Sequence, residues 1–290
     1  MRQKRGAGNL ASEPRPGKRC KVRGSYVGDG FTLSKWYLDC VGDDGDALVA
    51  YAAEVRWGTV SLRYASTLRR RPGQQRATVD ATLRETPWPT ETGRDVAWEA
   101  PALRLEGTWK ALAAPIESTI LESDEGRVQW RCVLPSARGT VVHGGARLEG
   151  RGYVEVLTLT LPPWRLPIDE LRWGRFLGEK HALVWIDWRG PHARRLAWLD
   201  GHGMRAERVE PEGVTSDAGE SLTIAPGGLM RQGALGRTAL AVLPAVDRLL
   251  PVRILAADET KWCAPGVLDV RDAPPDPGWV VHEVVRWPAR

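Results

Sequence analysis

The sequence predicts an all-β chain folded as two consecutive antiparallel β-barrel domains, and three observations point there. Apolar residues recur in short segments, alternating or continuous, cut by turns rich in Gly, Pro and Asp. Long 3.6-residue periodicity is missing. A hairpin-like pattern near the start also returns in the second half of the chain.

Taken in order, residues 1–23 hold Gly, Pro and charge with almost nothing to bury, and read as a disordered basic tail. Strand-like segments then follow at 36–41, 47–57, 60–68, 77–83, 102–112, 128–134 and 153–161. The run Ala47-Leu48-Val49-Ala50-Tyr51 is continuously apolar, as expected of a strand covered on both faces. Further strand-like segments lie at 182–188, 194–199, 221–224, 252–256 and 279–287. Residues 240–250 could supply a turn or two of helix, against which Pro244 argues. The echo pairs Lys35-Trp36-Tyr37-Leu38-Asp39 and its following apolar strand with Arg172-Trp173-Gly174-Arg175-Phe176 and Ala182-Leu183-Val184-Trp185-Ile186, about 135 residues later. That spacing suits one small barrel per copy. The expected division is a tail at 1–23, a first domain at 24–150 and a second at 151–290.

Composition narrows the function. The net charge of +5 sits in the tail, where eight basic residues face the single acid Glu13, so the body is slightly acidic. A body without a basic stripe argues against nucleic acid as a partner, and leaves the tail as a weak tether to anionic surfaces in the second reading of that segment. No apolar run approaches the ~20 residues of a membrane span, and none follows the tail as a secretory signal would require. Cys20, Cys40, Cys132 and Cys263 are scattered, which fits free thiols in the cytoplasm. The five histidines lack metal-ligand spacing, and neither Gly-Gly pair has the context of a phosphate loop, so no metal or cofactor is expected. Fourteen Trp against five Tyr and two Phe suit a cavity for a hydrophobic small molecule, or bulky core filler.

Four pieces of the chain, in order, resemble one family: Trp36-Tyr37-Leu38-Asp39, Gly150-Arg151-Gly152-Tyr153-Val154-Glu155, Leu171-Arg172-Trp173-Gly174-Arg175 and Gly278-Trp279-Val280-Val281-His282-Glu283. Together they are similar to the carotenoid 1,2-hydratase (hydroxyneurosporene synthase) group and its lipocalin-like relatives, which include tocopherol cyclase and Diels–Alderases. The resemblance implies two lipocalin-like, calycin-type barrels with a ligand site near their junction, and chemistry on polyenes, prenylated quinols or polyketide chains. It departs from the hydratases after the Gly-x-Gly-Tyr, where they carry Asp, His and Asn and this chain has Glu155, Val156 and Leu157.

Hydrating or cyclising an olefin begins with a proton donor, and a carboxyl in a dry pocket keeps its proton because burial disfavours the charged form. Indole faces then stabilise the cation. Carboxylates on aromatic strand faces are therefore the candidates: Glu155 with Tyr153, Glu283 with Trp279 and Trp287, Asp187 with Trp185, and Asp39 with Tyr37. Trp164, Trp173, Arg175 and His143 are further lining candidates for binding the substrate, with Tyr153, Trp185 and Tyr37. Arg175 and Arg172 stand against an acid role, because pairing with either would ionise Glu155. The expected function is a cofactor-independent lyase or cyclase. A pericyclase and a non-catalytic carrier of the same ligand are the alternatives.

Overall fold

The computed structural model describes residues 30–243, 248 and 250–289. The basic tail and Cys20 lie outside the described residues, as does part of the segment 240–250. Of the described residues, 64% are strand and 5% helix, in two antiparallel sheets.

The first sheet is built from β1 (Thr32–Val41), β2 (Ala47–Trp57), β3 (Val60–Arg70), β4 (Thr78–Thr82), β5 (Thr90–Thr92), β6 (Asp95–Ala100), β7 (Leu105–Ala111), β8 (Ile116–Ser123), β9 (Gly126–His143) and β10 (Ala146–Leu159). The second is built from β11 (Glu170–Gly178), β12 (Ala182–Arg189), β13 (Arg194–Leu199), β14 (His202–Met204), β15 (Ala206–Glu210), β16 (Gly213–Ser216), β17 (Ser221–Ile224), β18 (Gly228–Ala234), β19 (Asp258–Asp269) and β20 (Asp276–Arg286). Their strand orders correspond one to one: β4-β3-β2-β1-β10-β9-β7-β6-β5, with β8 on β9, and β14-β13-β12-β11-β20-β19-β17-β16-β15, with β18 on β19. The echo in the sequence is thus the β1–β2 hairpin repeated as β11–β12.

The two-residue period of each strand separates two environments. One face of the first sheet closes on its own interior, with Leu38, Cys40, Leu48, Ala50 and Trp109. One face of the second does the same with Phe176, Leu183, Trp185 and Val280. The opposite faces meet each other: Tyr37, Val49, Tyr51, Trp130 and Tyr153 from the first sheet pack with Trp173, Val184, Ile186, Cys263 and Val281 from the second. Central strands are therefore apolar on both faces, which explains the continuous run of β2. Glycine opens the interiors to tryptophan. A Cβ at Gly174 would stand 2.2 Å from the Trp185 ring, and one at Gly152 would stand 2.5 Å from Trp109, whose Nε1 donates to the Asp39 carbonyl at 2.7 Å.

Two expectations are corrected. Residues 252–256 are not a strand: α1 (Val252–Leu255) is one helical turn entered through Pro251, with Ile254 buried. A four-residue apolar run carries too little periodicity to separate one turn from a short strand. The passage from one sheet to the other falls at residues 160–169, whereas the expected boundary at 150/151 lies inside β10. Gly150 lies within that strand, where a Cβ would meet the Val41 carbonyl at 2.0 Å.

Candidate functional site at the junction of the two sheets

The junction holds Glu155 at its centre. On β10 the residue stands opposite Tyr37 of β1 and Cys132 of β9, just past a register shift between Gly152 and Glu155. Its carboxyl is nearly buried, at 7% exposure. Three donors converge on one oxygen, Oε2: Trp130 Nε1 at 2.5 Å, the Tyr153 hydroxyl at 2.7 Å and Trp173 Nε1 at 3.1 Å. Oε1 accepts no hydrogen bond from the described residues. Burial pushes the carboxyl above its ordinary value, against the opposing pull of Trp130, Tyr153 and the Lys35 charge. Neither Arg175 nor Arg172 reaches it.

The other carboxylates have cationic partners. Asp39 and Arg175, both without exposed side-chain surface, form a two-pronged pair between β1 and β11, with Nε–Oδ2 at 3.0 Å and Nη2–Oδ1 at 2.7 Å. The Tyr37 hydroxyl also donates to Asp39 Oδ2 at 2.9 Å, and Arg175 Nη1 donates to the Trp279 carbonyl at 2.8 Å. Glu283 is paired with Lys261 and lies near the positive charge of Lys35, which together hold its carboxyl down to about 2 despite burial. Asp187 points to the other face of the second sheet, where Arg189 (2.7 Å) and Arg195 (3.2 Å) hold it. Arg172 is taken by Glu170 and Glu210.

Of the lining candidates, the junction brings together Glu155, Tyr153, Trp173, Tyr37, Asp39, Arg175 and Glu283. The Tyr37 ring packs edge-on against Trp173 (4.9 Å between centroids) and Tyr153 (5.9 Å). Trp164 sits farther along the junction against Phe31 and Trp57. Trp185 belongs to the interior of the second sheet, because residue 185 alternates with the junction-facing Val184 and Ile186. His143, at the end of β9, bonds Thr67 Oγ1 at 3.2 Å and lies 3.6 Å from Asp80, both groups of the first sheet.

Several residues of the site were missed by sequence reasoning. Trp130 shares a strand face with Val128 and Cys132 in a segment already read as a strand, but only the β9–β10 register places that face beside Glu155. Lys261 is 1% exposed, with its ammonium 5.0 Å from the Trp173 ring centroid, 5.2 Å from Tyr37 and 6.0 Å from Tyr51. Arg231 makes a two-pronged pair with Glu259 (2.8 and 2.7 Å) and covers the Tyr51 ring. A lysine or arginine in a strand reads as solvent-facing unless the partner sheet is known.

Beside Arg231 a cleft of about 450 Å³ opens between β3 and β4 of the first sheet and β18 of the second. Met230 lines it and also belongs to the junction core. Among the described residues no group of His, Cys, Asp and Glu side chains is placed to hold a metal ion, and no helix is long and apolar enough to cross a membrane.

The paired ten-stranded sheets and their common junction face can be compared with known folds. The fold is shared with CghA. Structures of that protein, free and with Sch210972, superpose with TM-scores of 0.56 and 0.55 at 12% identity, over 89% of this chain and 88–89% of theirs. A protein of Nitrosomonas europaea described as a candidate AttH matches at a TM-score of 0.55 and 12% identity, over 92% of this chain and 98% of its own. The likeness expected from the sequence is met at the level of the whole fold. Comparison with family models and with curated protein sequences gives no match.

Proposed function

We propose that this chain is a cofactor-independent lyase or cyclase, with Glu155 as the acid and an apolar, olefin-containing small molecule of isoprenoid or polyketide-like kind as substrate. One observation carries the reading: Glu155 is the junction carboxyl whose hydrogen-bond donors are all neutral, while Asp39 and Glu283 are held by cations. With Oε2 saturated as an acceptor, the proton belongs on Oε1. Transfer of that proton to an olefin carbon forms a C–H bond and leaves a carbocation. Addition of water to the cation, or attack by a second double bond, followed by return of a proton to the carboxylate, completes hydration or cyclisation. The indoles of Trp130 and Trp173 lie beside the carboxyl, where attraction of a desolvated cation to an aromatic face reaches about 2 kcal/mol. The three buried free cysteines, Cys40, Cys132 and Cys263, support a reducing compartment such as the cytoplasm.

The fold shared with CghA, whose structure was solved with Sch210972, favours a second reading of the same site as a pericyclase. There the junction would hold a reactive conformer, and Glu155 would contribute a hydrogen bond only.

Glu155→Gln tests both readings. Its amide oxygen can take the three donors and its NH₂ replaces the Oε1 proton, so the shape is kept while the acid is removed. Tryptophan-quenching screens of isoprenoid alcohols, prenylated quinols and linear polyenes identify ligands, and product is followed by mass spectrometry. On the acid reading, binding persists, turnover falls by about 10² to 10⁴, and wild-type activity is lost as pH rises through the raised pKa of Glu155. Turnover of the variant within a few-fold of wild type would overturn the acid role and leave the pericyclase. Binding without product in the wild type would leave a carrier.

A further inference from the structure

The cleft beside the junction has a charge pattern that the acid chemistry does not use. Its apolar wall includes Ala77, Leu229 and Met230. Three arginines, Arg76, Arg231 and Arg237, also line it, and among the described residues no acidic side chain does. Arg231 gives Nε and Nη2 to Glu259, which leaves Nη1 free of that carboxylate. Arg76 and Arg237 are exposed and have no acidic partner among the described residues. Behind Arg231, whose guanidinium lies 5.4 Å from the Tyr51 ring centroid, the Tyr51 hydroxyl is buried without a hydrogen-bond partner among the described residues. The volume, about 450 Å³, falls within the range of small-molecule sites.

We propose that the cleft binds an amphipathic acid: an apolar chain ending in a carboxylate. The anion lies among Arg76, Arg231 and Arg237, and the chain runs along Leu229 and Met230 toward the junction core. This deepens the enzymatic reading and rests on it for the claim that the bound acid is substrate. The binding itself does not depend on Glu155 being catalytic.

The test uses the full chain with dodecanoate and dodecanol, which share a chain and differ in charge, measured by calorimetry at low and high salt. The expected result is that dodecanoate binds more tightly, that salt narrows the difference, and that Arg76→Ala/Arg237→Ala weakens dodecanoate by about tenfold or more while leaving dodecanol unchanged. Ala77→Trp, which fills the cleft, should abolish binding of both, and Glu155→Gln should leave both intact. Equal affinities for acid and alcohol, or discrimination that survives the double arginine variant, would overturn the proposal. So would dodecanoate binding that survives Ala77→Trp in a folded protein, since the site would then lie elsewhere. Vesicles of phosphatidylglycerol separate a free acid from a lipid surface. Binding to them beyond that to phosphatidylcholine, lost in the arginine variant, would assign these arginines to a membrane and also overturn it. If Glu155→Gln leaves turnover unchanged while acid binding behaves as expected, the catalytic reading fails and the ligand class stands.

Discussion

Replacing Arg175 by Met removes the cation that joins the two sheets at their most buried point. In the wild type Asp39 Oδ1 and Oδ2 receive Arg175 at 2.7 and 3.0 Å, Tyr37 adds a bond at 2.9 Å, and neither charged side chain touches solvent. The variant keeps the Tyr37 bond and strands a carboxylate in the junction, together with the Trp279 carbonyl that Arg175 had satisfied. Removing one partner of a buried ion pair typically destabilises by about 3–5 kcal/mol, because the remaining charge is left unpaired in a dry medium. Since both bonds of the fork are lost, the upper half of that range is expected. For a chain of this size each kcal/mol lowers the melting temperature by about 2–4 °C, so a drop of roughly 8–20 °C should be seen by calorimetry. The double variant Asp39→Asn/Arg175→Met should recover most of the loss, as it removes the orphaned charge along with its partner. A single variant within about 1 kcal/mol of wild type, or a double variant no better than the single, would refute the reasoning.

Glu283→Gln should destabilise by about 3 kcal/mol, since it removes the carboxylate paired with the buried Lys261 ammonium and leaves it only aromatic faces and the more distant Glu259. The sign in pH follows from a lowered carboxyl. Its stabilisation is present above the ordinary value of 4.5 and is lost as pH falls toward about 2, so the variant should show less of the wild type's loss of stability in that window by denaturant titration. His282 is buried against Trp262 at 4.9 Å, and burial with the nearby Lys261 holds its imidazole down to about 4. The unfolded chain takes up the proton first, so wild-type stability should fall between pH 6.5 and 4 by up to about 3 kcal/mol. His282→Phe should flatten that slope, and an unchanged slope would place the acid sensitivity elsewhere.

The fold was legible because its physics is local. Period-two alternation in Trp36–Val41 and the two-sided apolar run from Ala47 marked strands, and the repeated Trp-led hairpin marked the duplication that the matched strand orders display. The boundary was less legible because the echo sets the spacing of the two hairpins and not the end of β10, whose Gly150 and Gly152 serve its close approach to Val41 and Trp109. For the site, period two placed Tyr153 and Glu155 together, and placed Tyr37 with Asp39. It could not say which face of each strand meets the other sheet. That is why Trp185 and Asp187 were grouped with the site although residues 184 and 186 carry the junction face, and why Lys261 and Arg231 escaped notice. The partners of the four carboxylates were likewise out of reach, since Asp39 and Arg175 stand 136 residues apart in sequence.

Neither sheet contains the candidate site alone. The first supplies Glu155, Tyr153 and Trp130, and the second supplies Trp173, Lys261 and Glu283. Burial raises the pKa of Glu155, and part of what buries it is the second sheet seated on the first. Docking of the sheets and protonation of Glu155 are therefore linked, and the linkage is reciprocal. A protonated carboxyl favours the docked arrangement, and docking favours the proton. As pH rises through the raised pKa, ionisation of Glu155 opposes docking, while the Asp39–Arg175 pair at the same interface continues to join the sheets. The clamp thus allows the acid to be weak without the domains separating, which gives the buried ion pair a reason to stand beside a carboxyl that has no cation of its own.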